Sequence, residues 1–154
     1  RMAHEELALR HVSFIISGTD SYKSSMPKFL NQGMIDLGNL SDEKLNTLRK
    51  NFLSSLETAY YIFEDDSFKK SLAKPQHRKV VNKPLFESVS VCLAEISIED
   101  RRFLVEIKND VVKSFISLLG NDDFEISISK STANTEKVLT RFSMVRDTIN
   151  KLIN

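Results

Sequence analysis

Asp42-Glu43-Lys44-Leu45-Asn46-Thr47-Leu48-Arg49-Lys50-Asn51-Phe52-Leu53-Ser54-Ser55-Leu56-Glu57-Thr58-Ala59-Tyr60-Tyr61-Ile62-Phe63 is the stretch that decides the fold. Its apolar positions, Leu45, Leu48, Phe52, Leu53, Leu56, Ala59, Tyr60 and Phe63, recur at steps of three and four, the period of a helix with one buried face. Ser41 stands just before it as a capping residue. Asp42 and Glu43 follow at the positive end of the helix dipole. The reading is one long helix over about 42–64.

Outward from this helix the same logic repeats. Leu9, Val12, Ile15 and Ile16 keep a helical spacing over 2–17, with Glu6 four residues before Arg10 in the favourable order for an ion pair. Gly18-Thr19-Asp20 breaks that helix. Ser25 then caps a second one, with Pro27 in its first turn, Phe29, Leu30, Met34 and Leu37 on its inner face, and Gly38 at its end. A short helix is expected over 66–72, and 73–82 is a polar connector containing Pro75.

Asn82 and Pro84 open a helix through Phe86, Val89, Cys92 and Leu93. The segment from Glu99 or Asp100 to Leu119 reads either as one helix or as two with a break near Asn109. A last helix starts near Asn134 or Thr135 and carries Val138, Phe142, Val145, Ile149 and Leu152 along one face toward the core. Between them, Phe124-Glu125-Ile126-Ser127-Ile128-Ser129 alternates like a strand, but a lone strand has nothing here to pair with. A short helix leading into a Ser/Thr-rich loop is expected instead. The fold class is therefore all-α: a single domain over 1–154, with six or seven helices built around the long helix and the C-terminal one.

Composition agrees. Only four Gly and three Pro occur in 154 residues, too few for the frequent turns of an all-β chain. Hydrophobic residues at 41% and charged residues at 28% place the chain among globular rather than disordered sequences. Twenty-two Lys and Arg against 21 Asp and Glu give a net charge of +1, which excludes a strong global pull toward nucleic acid or anionic membrane but allows a local patch. Cys92 is the single cysteine, so an internal disulfide or cysteine-based zinc site is excluded, and a reducing, cytoplasmic setting is expected. No apolar run reaches the ~20 residues of a membrane span, so no membrane partner is expected.

No motif supplies an active site. His4 and His11 lie seven apart, where a zinc-protease helix would need His at i and i+4, and Ala8 occupies the second position; they read as surface or capping histidines. Ser-x-x-Lys occurs at Ser41/Lys44, Ser67/Lys70 and Ser127/Lys130 without the partner motifs of a serine acyl-enzyme. Neither a Gly-rich phosphate loop nor a calcium loop is present, and neither a cofactor nor a metal is expected in this chain.

Two segments stand out as binding candidates. Lys69, Lys70, Lys74, Arg78, Lys79 and Lys83, with His77, fall in a stretch that has no acidic residue of its own. Such a cluster can hold the phosphates of duplex DNA in a salt-dependent, sequence-independent way. The chain has no Trp, and no aromatic residue interleaves these cations, so stacking on single-stranded bases is not supported. The second segment is Lys130-Ser131-Thr132, whose cation and hydroxyls precede a helix start and suit an anion. A solvated loop and an ordinary helix start are the plainer readings of the two.

Several stretches together resemble a known family. They are Arg1-Met2 with Glu6-Leu7-x-Leu9-Arg10, then Phe29-Leu30-Asn31-x-x-Met34, and Phe52-x-x-x-Leu56-x-x-Ala59 with Ile62-Phe63. Asn82-Lys83-x-Leu85-Phe86-Glu87 and Arg141-Phe142 follow in the same order. The chain resembles, from Arg1 to about Ile153, the helical second half of the GmrSD-type modification-dependent restriction family. Members of that family are similar to ParB-like nucleases in their first half and are linked to nucleotide-dependent DNA restriction and phage defence in bacteria. Their hallmark Asp-Gly-Gln-Gln-Arg motif has no counterpart here, since the chain contains no Asp-Gly. The resemblance thus implies a helical accessory region with no catalytic residue of its own. It also implies that nuclease or NTPase chemistry belongs to an upstream half of the same protein, which would be its partner. The first residues, which read as a helix already under way, agree with a longer protein. The alternative is a free-standing helical interaction module with no nucleic-acid role.

Overall fold

In the computed structural model, which describes residues 2–154, the chain is all-α. Eight α-helices follow one another among the described residues: α1 (Met2–Ser17), α2 (Met26–Gly38), α3 (Asp42–Phe63), α4 (Lys83–Glu95), α5 (Ile98–Glu106), α6 (Lys108–Leu119), α7 (Asp122–Ser129) and α8 (Thr135–Ile153). The segment over 99–119 is two helices, with the break at Ile107, close to Asn109. The short helix expected over 66–72 is instead a pair of 3-10 turns, Glu64–Asp66 and Lys70–Leu72.

The helix starts follow from side-chain chemistry. The first turn of a helix has N–H groups without intrahelical acceptors, and a Ser or Asn oxygen just before it supplies one. Ser25, Ser41, Asn82, Ser97 and Asn121 do this for α2, α3, α4, α5 and α7, accepting from the N–H of Lys28, Lys44, Leu85, Asp100 and Phe124. Pro27 and Pro84 sit in the first turns of α2 and α4, where a missing N–H costs nothing. For α8 the cap comes from afar: Asn134 makes no side-chain cap bond, and Ser24 Oγ accepts from the N–H of Thr135 at 3.1 Å.

The centre of the fold is α4. All ten residues from Pro84 to Leu93 are buried, as happens to a helix covered on every side. Helices α1, α3, α7 and α8 pack around it. The long helix and the C-terminal helix thus form two walls rather than the axis. Phe14 joins α1 to α2 and α8 by stacking near Phe29 (4.6 Å between ring centroids) and Phe142 (4.7 Å). Phe63 and Phe115 do the same for α3 and α6 at 5.1 Å.

Several faces differ from the expected ones. On α1 the fully buried residues are His11, Ser13 and Phe14, while Leu9, Val12, Ile15 and Ile16 are only half-buried, because α1 turns its sides toward α2 and α4 at once. Met34 on α2 and Leu53 and Tyr60 on α3 are exposed. His11 is a core residue, not a surface or capping one. Its Nδ1 lies 2.9 Å from Ser90 Oγ and its ring packs on Phe52. On α7, Phe124, Ser127 and Ile128 are buried, a spacing of three and four that only a helix gives to that alternating segment. No helix among the described residues is long and apolar enough to cross a membrane.

Candidate functional site

The basic segment is an excursion between α3 and α4, closed at its base. The Asn82 N–H donates to the Phe68 carbonyl at 2.9 Å, Lys69 and Val81 form an isolated antiparallel bridge, and the Phe68 ring stacks on Phe86 of α4. Glu64 and Phe68 take positive φ to make the turns at its start. Beyond this clamp, residues 74–81 are exposed, and short backbone bonds from His77 to Lys74 and from Val80 to Arg78 keep the tip folded.

The acidic residues missing from the segment itself arrive from other elements. Lys79 pairs with Asp66 at 3.5 Å, Lys70 pairs with Glu125 of α7 at 3.4 Å, and Lys83 pairs with Glu6 of α1. Lys69 donates to the Asp65 carbonyl. Lys74 and Arg78 at the tip have no ion-pair partner among the described residues. Lys83 belongs to the first turn of α4 rather than to the loop. Three of the six cations are thus ion-paired, and among the described residues only Lys74 and Arg78 have neither an ion pair nor a side-chain hydrogen bond.

The structure brings the second segment beside the first. The Asn82 side chain donates to the Ile128 carbonyl at 3.0 Å, and Lys70 donates to Ser129, so the basic loop and the 130–134 turn flank the C-terminal end of α7. Cations and donors are favourable there, where carbonyls lack partners. Ser131 takes φ 49° in that turn. The turn presents carbonyls inward: Thr132 accepts from Arg141 Nη1 at 2.7 Å and Ala133 from the Tyr22 hydroxyl, while Ser127 of α7 also accepts from Arg141 Nη1, at 3.0 Å. With Ser24 already on the Thr135 N–H, the geometry of Lys130, Ser131 and Thr132 is that of a helix start fastened to its neighbours.

Behind both segments lies a buried ion network. Arg141 and Glu87 are both fully buried. Arg141 donates through Nε and Nη2 to Glu87 Oε1, and Arg10 donates to Oε2 at 2.8 Å. Arg10 also holds Glu6, and Glu6 in turn holds Lys83. The hydrogen bond from Lys83, aided by the nearby Arg10 charge, keeps the Glu6 carboxyl below its usual range despite partial burial. The network saturates Glu87, which leaves no lone base for chemistry. Its one sequence signal was an acid and a later Arg set in apolar runs.

Ser90 Oγ and His11 Nδ1 do meet at 2.9 Å, but both side chains are sealed in the core. Cys92 is buried, and desolvation raises its thiol pKa well above the ordinary value. Among the described residues no three His, Cys, Asp or Glu side chains group as metal ligands. No protein-family model matches the chain, nor does any curated protein or solved structure.

Proposed function

We propose that this chain is the helical accessory region of a bacterial nucleotide-dependent, DNA-targeting restriction or phage-defence protein of the GmrSD type, and that its 74–80 loop touches duplex DNA. The observation that carries the reading is the loop itself: Lys74 and Arg78 are exposed and unpaired at the tip of a segment whose base is clamped by Asp66, Glu125 and Glu6. Clamping lowers the entropy lost on binding, and unpaired cations release counterions from DNA. The segments that carry the resemblance also converge, since Glu6 and Arg10, Lys83 and Glu87, and Arg141 make one network.

The test is duplex-DNA binding as a function of salt. Two phosphate contacts give a slope of log K against log salt of about −2. Lys74→Glu with Arg78→Glu should abolish the binding. Equal binding by the variant and the parent would sink the proposal.

A free-standing interaction module is the second reading. It is favoured by Leu53, Tyr60 and Tyr61, which stand exposed on the outer face of α3. A stable oligomer that Tyr60→Lys disperses, with no DNA binding, would support it.

A further inference from the structure

One face of α3 lies outside the packing of this fold. The helix packs on α4, α5 and α6 and buries Ser55, Thr58, Ala59, Ile62 and Phe63. On the opposite face Asn46, Lys50, Leu53, Glu57 and Tyr60 are all exposed, Leu53 by 54% and Tyr60 by 59%. They recur at steps of four, three, four and three, the spacing that forms the seam between two helices lying side by side. Neither Lys50 nor Glu57 forms an ion pair among the described residues. A lone exposed Leu is ordinary on a surface, whereas Leu53 and Tyr60 in register with two unpaired charges of opposite sign make a docking pattern.

The charges on this face are ordered along the helix. Arg49 and Lys50 precede Leu53, and Glu57 and Glu64 follow it. Two copies running in the same direction would set Lys50 on Lys50 and Glu57 on Glu57. Two copies running in opposite directions about a two-fold axis at Leu53 set the cations of each against the acids of the other. At a helical rise of about 1.5 Å per residue, Lys50 lies about 4.5 Å to one side of Leu53 and Glu57 about 6 Å to the other. Each ammonium then comes level with the facing carboxylate, Tyr60 covers Asn46 of the other copy, and Leu53 meets its own counterpart.

We infer that this face of α3 pairs with the same face of a second copy of the chain, antiparallel about Leu53, in a two-fold dimer. The pairing gives the second reading above its partner; it rests on that reading's exposed α3 face and not on its lack of a nucleic-acid role. Lys50 and Glu57 in the seam fix direction and register and keep the dimer weak, so its population follows the chain concentration.

The experiment is sedimentation velocity of the whole chain over a range of concentrations, for the parent, Lys50→Glu, Glu57→Lys and the variant carrying both. The parent should run as a monomer–dimer equilibrium. Each single reversal replaces two opposite-charge contacts with two like-charge ones and should raise the dimer Kd by about tenfold. The double reversal restores both contacts and should return Kd to within about threefold of the parent. Both positions are exposed, so the far-ultraviolet circular dichroism of every variant should match the parent's. A parent that stays monomeric, a dimer that neither single reversal weakens, or a double variant no better than the singles overturns the pairing.

Duplex DNA separates this pairing from the reading it rests on. A charge-dependent dimer that binds DNA keeps the pairing and removes the free-standing module. A dimer indifferent to these charges that leaves DNA unbound removes the pairing and keeps the module.

Discussion

Glu87 of α4 and Arg141 of α8, fifty-four residues apart, face each other with neither side chain reaching solvent. Arg10 closes the second carboxylate oxygen, so one acid holds α1, α4 and α8 together. Removing one partner of such a group leaves the others charged, buried and unpaired. Glu87→Gln should therefore cost about 3–5 kcal/mol, read from the midpoint of urea unfolding. A cost below about 1 kcal/mol, the range of a surface ion pair, would show that the site is open to water.

Arg141 also fastens the 130–134 turn through the Thr132 carbonyl, so Arg141→Lys tests a different link. An ammonium has no planar fork with which to reach Glu87 and both carbonyls. Amide exchange should quicken from Ser131 to Thr135 while the N-terminal half of α3 keeps its protection. Uniform quickening across the chain would mean global destabilisation instead.

What was legible in the sequence was local chemistry. Ser25, Ser41 and Asn82 announced helix starts because a cap is an interaction over three residues, and the structure has each bond. The period of three and four placed α3 and α8 for the same reason. Faces were harder. Phe14 and His11 are buried on α1 because two other helices meet there, which one helix's pattern does not contain. The loop cations seemed unopposed because their acids, Glu6 and Glu125, come from 77 and 55 positions away along the chain. Glu87 and Arg141 stood in the sequence only as residues of the resemblance, because a pairing across 54 positions leaves no local pattern.

The imidazole of His11 gives the fold an acid-sensitive element. Burial lowers its pKa from 6.5 to about 4, since charging it there forfeits hydration. With the folded value lower, the unfolded chain binds the extra proton between these limits. Stability contributed by neutral His11 is then complete above pH 6.5 and lost as pH falls toward 4, by about 1.4 kcal/mol per pH unit. His11→Asn, whose side chain can still reach Ser90, should remove that slope. The Glu6 carboxyl, held below its ordinary value of 4.5, contributes stability that is lost only as pH falls further, so it does not mask the effect. An unchanged slope between pH 6.5 and 4.5 in the variant would move the acid sensitivity elsewhere.

Asp66 sets how many cations the loop offers. It pairs with Lys79 and accepts from the Ser71 hydroxyl at 2.6 Å. Asp66→Asn keeps an oxygen for Ser71 but removes the charge that occupies Lys79. If the loop lies on DNA, the freed ammonium should steepen the salt slope by about one and tighten binding at low salt. A slope that stays near that of the parent would place Lys79 away from the phosphates and narrow the contact to Lys74 and Arg78.

Gly33 reports how closely α1 and α2 approach. A Cβ added there would lie 1.9 Å from Ser13 Oγ and 2.9 Å from Ser13 Cβ, inside any tolerable contact. In an unpacked helix Gly→Ala gains about 1 kcal/mol. Here the clash should reverse the sign, and Gly33→Ala should destabilise by about 1–3 kcal/mol. The Ser13 hydroxyl has no hydrogen-bond partner, so Ser13→Ala alone should be close to neutral or stabilising. Combining the two removes the nearest atom but leaves the two Cβ atoms crowded, so the pair should recover part of the loss and show a favourable coupling in a double-mutant cycle. If Gly33→Ala instead stabilises the protein, the two helices have room to separate at this crossing, and Gly33 is not what sets their spacing.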